Sequence, residues 1–152
     1  MVIDDTQLKT FDINDTNELG FGIEKIILTP YELQIESLVP TLSKELLDKV
    51  YSDFSEKCKN NLDANQENAL FEDILLDSND LYWYGGFAVF NQDGEYLDFV
   101  YIDENTHYYE VEMKNIEKLY IYLLPDGIAA YKCKNQEFFK NCNIYSYTLE
   151  IK

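Results

Sequence analysis

The chain carries one histidine, His107, and three cysteines, Cys58, Cys133 and Cys142. Nucleophilic catalysis would need a Cys or Ser beside a base, and Glu104 and Glu110 are placed in sequence to orient His107. Nothing in the spacing of Cys133 or Cys142 requires such a pairing, and a lone His beside a turn is more often structural. Hard cations take oxygen ligands, and Asp77-Ser78-Asn79-Asp80 and Asp103-Glu104 near His107 are oxygen-rich. The first of these lacks the Gly and the distal Glu of a calcium loop, and Asp and Asn are ordinary residues of turns. Tyr84-Gly85-Gly86-Phe87 has the glycines of a phosphate loop but no Lys or Arg near it, so the local field repels phosphate. Carboxylate pairs suited to glycoside chemistry are uninformative among 29 acids. These residues assign neither metal nor cofactor and leave a small metal- or His107-dependent hydrolase as a minor alternative.

A denser signal is one of charge. Between Lys59 and Lys114 there is no Lys and no Arg, and the window holds 13 of the 29 acids. Tyr82, Trp83, Tyr84, Tyr96, Tyr101, Tyr108 and Tyr109 are interleaved with them. The whole chain carries a net charge of −17, and its 12 basic residues are all Lys. A protein that grips nucleic-acid phosphates needs Lys and Arg, so direct nucleic-acid binding is disfavoured. A field of this sign steers a basic protein toward the surface, and Tyr and Trp then anchor the contact. Solubility alone would also account for high charge. The residues expected to meet a partner are Asp77, Asp80, Asp93, Glu95, Asp103, Glu104, Glu110 and Glu112, with Trp83 and Tyr108 as anchors.

The elements that must position these residues are legible in outline. Residues 1–20 suggest an early strand and a loop, and 23–28 and 31–37 two short strands about a Thr29-Pro30 turn. Leu42, Leu46, Leu47, Val50, Tyr51, Phe54 and Cys58 recur at helical spacing, with Thr41 or Ser43 available to cap the first turn. A second helix is predicted over 65–76. Strands are then expected at 82–90 and 95–102 about the Asn91-Gln92-Asp93-Gly94 turn, near 107–113, 119–123 and 128–132, and at 145–151. His107, Tyr109, Val111 and Met113 are expected on one face, with Tyr108, Glu110 and Glu112 on the other. The fold class that follows is α+β: an antiparallel sheet of about five or more strands with two helices packed on one face.

At 152 residues the chain suits one domain, 1–152, able to bury a core. No secretory signal or membrane-spanning run is read in it. The odd cysteine count lacks metal-ligand spacing; Cys133 and Cys142 could in principle pair, but reduced thiols in a cytoplasm are the expectation.

Size, acidity and the missing catalytic residues make the chain similar in profile to the immunity proteins of bacterial toxin systems. That resemblance implies a non-enzymatic inhibitor forming a tight one-to-one complex with a basic protein, most plausibly a toxin nuclease, with carboxylates mimicking nucleic-acid charge. No individual residue is carried over from the family. An alternative of the same physical kind is a phage or plasmid anti-defence protein that acts as a DNA mimic against a restriction or CRISPR enzyme.

Overall fold

The computed structural model describes residues 8–61, 85–111, 116–125 and 136–151, with the side chains of 58–61 set aside. The predicted helix at 65–76 and strand at 128–132 lie outside the described residues, as do Asp77, Asp80, Trp83, Glu112 and Met113. In chain order the elements are β1 (Lys9–Thr16), β2 (Gly22–Leu28), β3 (Glu32–Leu38), α1 (Lys44–Asn61) and β4 (Gly86–Asn91). There follow β5 (Phe99–Asp103), β6 (Thr106–Glu110), β7 (Lys118–Leu124), α2 (Gln136–Asn141) and β8 (Tyr145–Glu150). The fold is α+β. Its strands form two antiparallel sheets, ordered β1-β2-β3-β6-β5 and β4-β7-β8.

Period-two alternation decides how the sheets meet. In β3 Leu33, Ile35 and Ser37 are buried while Glu32, Gln34 and Glu36 turn the other way. Ile26 pairs with Ile35 and Leu28 with Leu33, so one face of the large sheet is continuously apolar. That face packs on Phe87, Val89, Leu119, Ile121 and Leu123 of the small sheet. Tyr109 crosses the interface, and its hydroxyl donates to the Phe87 carbonyl at 2.8 Å.

The small sheet is apolar on both sides. Ala88, Phe90, Tyr122 and Leu124 face away from the large sheet and meet Leu47, Tyr51 and Phe54 of α1, with Phe138, Phe139 and Cys142 at α2. All six residues of β4 are buried, because the strand lies in the middle of three layers. The helices thus cover one face, as expected, but that face belongs to the smaller of two sheets. The outward residues Ile27, Tyr101 and Tyr108 of the large sheet belong to neither apolar cluster.

Local chemistry explains the joints. The Thr29 hydroxyl accepts from the N–H groups of Tyr31 and Glu32, closing the β2–β3 turn. Ser43 is the cap of α1, its Oγ accepting from Leu46 N–H at 3.1 Å, with Glu45 in the positive first turn. Gly22 lies where β1 bulges against β2: an added Cβ would sit 1.9 Å from the Asp15 carbonyl oxygen.

Two expectations need correction, and one element was not foreseen. The strand predicted at 95–102 returns beside β4 only as far as Leu97, through the Phe90–Tyr96 bridge and the Leu97 N–H to Val89 carbonyl bond. Leu97 is fully buried, and the chain then crosses to the large sheet to pair with β6. The short helix α2 was not anticipated, since six residues are too few to show a helical period. Cys142 was expected as a reduced thiol, but it is disulfide-bonded, to a sulfur outside the described side chains.

Candidate protein-binding face

The outward face of the large sheet gathers four of the predicted contact residues, Asp103, Glu104, Tyr108 and Glu110, around two tyrosines. Register places Ile27, Gln34, Tyr108 and Tyr101 in one row across β2, β3, β6 and β5. The rings of Tyr101 and Tyr108 stack at 4.2 Å between centroids, with 6° between planes. Pairing sets Glu32 opposite Glu110 on one side of this row. On the other side Glu36 is opposite Thr106, which is opposite Asp103. The aromatic pair is therefore framed by four carboxylates: Glu32, Glu110, Glu36 and Asp103.

Tyr108 registers that frame electrostatically. Its hydroxyl is pushed up by desolvation, then by the charge of Tyr101 and a hydrogen bond with it, and further by Asp103 and Glu32. Strands β3, β5 and β6 contain no Lys, and the first cation on the same face is Lys25 of β2, opposite Glu36. A positive side chain arriving here would meet the carboxylates and a tyrosine ring face together, an arrangement that favours both ion pairing and cation–π contact.

The β5–β6 turn holds Glu104 exposed at the end of this face. Ser37 donates both its N–H and its hydroxyl to the Asn105 carbonyl, at 2.8 and 3.1 Å, pinning the turn to the end of β3. Glu104 takes φ 55°, a left-handed conformation that costs an L-residue about 1–2 kcal/mol. That φ is what the two-residue hairpin turn between Asp103 and Thr106 requires.

The structure thus brings Asp103, Glu104, Tyr108 and Glu110 together, and places Asp93 and Glu95 elsewhere. Those two lie on the turn after β4 in the small sheet, where the Asn91 side-chain oxygen accepts from both their N–H groups at 2.9 Å. Sequence reasoning missed Glu32, Glu36 and Tyr101 as members of the face. The alternation Glu32-Leu33-Gln34-Ile35-Glu36 carried the signal for the two glutamates, but nothing local announced that β3 would lie beside β6.

His107 is no part of this surface. It is 3% exposed, between the sheets, with its ring edge-on to Phe87 at 5.0 Å. Desolvation lowers its pKa from 6.5 to about 4. Glu104 and Glu110 are exposed, and Glu110 is on the opposite face of β6. Among the described residues no group of three or more His, Cys, Asp or Glu side chains is disposed to hold a metal ion. A cleft of about 480 Å³ opens between α1 and the loop before β2. Its charges, Glu18, Lys49, Asp53, Glu56 and Lys57, are of both signs, so it lacks the single-sign field of strands β3, β5 and β6.

Among the described residues no helix is long and apolar enough to cross a membrane. Comparison with protein-family models, curated proteins and solved structures finds no match to this chain.

Proposed function

We propose that this protein is a non-enzymatic inhibitor that binds and neutralises a basic protein, as an immunity protein blocking a toxin nuclease. The observation that carries this reading is the Tyr101–Tyr108 stack framed by Glu32, Glu36, Asp103 and Glu110 on strands devoid of cations. The acidic field accelerates encounter with a basic surface, and the stacked rings, already ordered, lose little freedom when the contact closes. Carboxylates spaced along a sheet face would occupy the site that normally takes nucleic-acid phosphates. The packing role of His107, buried against Phe87, favours this reading over a His-dependent hydrolase.

The working compartment we assign is a cytoplasm, where an immunity protein meets its toxin. The Cys142 disulfide is the observation that pulls against it, because such bonds persist mainly in oxidising compartments. Trapping free thiols in the producing cell before lysis decides the matter: a Cys142 that escapes the trap because it is disulfide-bonded would place the protein outside the reducing cytoplasm.

The functional test starts from capture of partners at low salt and continues with the purified partner. Glu36→Lys and Asp103→Lys are each expected to weaken the complex by about tenfold or more, given the cost of opposing a charge across an interface. Affinity should also fall with added salt as screening shortens from about 10 Å at 0.1 M to about 3 Å at 1 M. Undiminished binding by both variants would refute the acidic-face reading.

A further inference from the structure

The outermost strand of the large sheet is built unlike the other sheet margins. In β5 every residue is exposed, and four successive ones are large and apolar: Phe99 at 36%, Val100 at 55%, Tyr101 at 49% and Ile102 at 50%. Long apolar edge strands invite pairing with another chain, and proteins ordinarily blunt them with charge, bulges or cover. The opposite margin, β1, is blunted in this way. It carries Lys9, Asp12 and Asp15, and it bulges between Asp12 and Asp15, where Asn14 has φ 49°. In the small sheet β4 is lined by residues 95–97, and β8 shows solvent Ser146, Thr148 and Glu150. β5 also shifts register, between Phe99 and Tyr101, but it carries no charge before Asp103. Among the described residues it alone combines an open margin with a continuous apolar strip.

The ladder geometry says what that margin offers. The two-residue turn makes Asp103 and Thr106 face each other with their main-chain groups. Antiparallel alternation then turns the N–H and C=O of Ile102 away from β6, toward the open side. On one face of β5, Tyr101 and Asp103 lie within the carboxylate frame; on the other, Phe99 and Ile102 pair with Tyr109 and His107. An added strand would thus meet anionic and aromatic groups on one side and apolar groups on the other.

We propose that β5 is a docking strand, on which an extended segment of the basic partner adds as a further strand of the sheet, alternating Lys or Arg with apolar residues. This deepens the proposed function and rests on the acidic face being the partner's docking surface. Charge complementarity selects the occupant. Asp98 precedes the strip and Asp103 and Glu104 follow it, so a second copy of β5 laid antiparallel would bring like charges together at both ends, whereas a basic segment would find them complementary.

The test uses a defined probe, an acetylated and amidated heptapeptide of alternating lysine and valine, against the full chain. Its binding should protect the Ile102 amide from hydrogen exchange. Ile102→Pro removes the outward N–H on a margin where Pro is tolerated, and should weaken binding about tenfold or more, while Ile102→Ala, which keeps that N–H, should cost less than about threefold. The same peptide N-methylated along one edge keeps its charge and should bind the unaltered protein equally poorly, which guards against a folding defect in the Pro variant. Equal binding of the methylated peptide, or full binding by a folded Ile102→Pro, overturns edge pairing. In that event, loss of peptide binding in Glu36→Lys and Asp103→Lys would leave the acidic face standing, and its retention there would overturn that reading too. A dimer in sedimentation that Ile102→Pro dissolves also overturns the proposal, since a second copy would then cover the edge.

Discussion

His107 shows at the residue scale how burial converts a candidate catalyst into a structural group. Its pKa is lowered to about 4 from 6.5 because charging it between the sheets forfeits hydration. As pH falls, the unfolded chain takes up the proton near 6.5 and the folded protein only near 4. Its contribution is therefore whole above the unfolded pKa and is lost through that window, to the extent of about 3 kcal/mol. Urea unfolding at pH 7 and pH 4.5 should show this loss in the parent protein and a smaller one in His107→Leu. Equal losses in both would assign the acid sensitivity to other groups. Tyr108, one residue on, faces solvent with its ring against Tyr101, so one step along a strand separates packing from recognition.

Elements are held in place here by backbone proximity as much as by side chains. β1 can bulge over β2 only because residue 22 has no Cβ, the Asp15 carbonyl occupying the space one would need. Gly22→Ala should therefore cost about 1–3 kcal/mol as β1 is pushed off its partner. Chemical denaturation measures the loss, and faster amide exchange confined to β1 and β2 would localise it. An unaltered midpoint would mean that the bulge relaxes freely. The Asn91 turn works differently, its side chain replacing main-chain partners for Asp93 and Glu95, which accounts for a buried Asn at 2% exposure.

For the molecule as a whole, charge acts in opposite directions on folding and on binding. At net −17 the folded chain repels itself, so added salt should raise the melting temperature of the free protein. The same salt should weaken its complex with a basic partner. A melting temperature that falls with salt would mean that local ion pairs such as Lys118–Glu150 at 3.4 Å outweigh the net repulsion. The disulfide at Cys142 makes a separate prediction. Reduction should lower stability by about 2–4 kcal/mol, read as a shift in the urea midpoint. The unreduced protein should titrate with one free thiol from its three cysteines, and three free thiols would show the bond absent in solution.

What the sequence determined by itself was the local and the additive. The helical stripe from Leu42 onward, the alternation in β3, β6 and β7 and the turns at Thr29 and Asn91 are all legible because each depends on neighbours a few residues apart. The acidic balance is legible because charge simply sums. Tertiary structure alone decided that the strands divide between two sheets, that the return from Asn91 crosses layers at Leu97, and that β3 lies beside β6. That last pairing joins Gln34 to Tyr108 and so brings Glu32 and Glu36 to the tyrosine stack. No local pattern encodes such a choice. It follows from which arrangement buries the most apolar surface after the long loops are closed, and that sum runs over the whole chain.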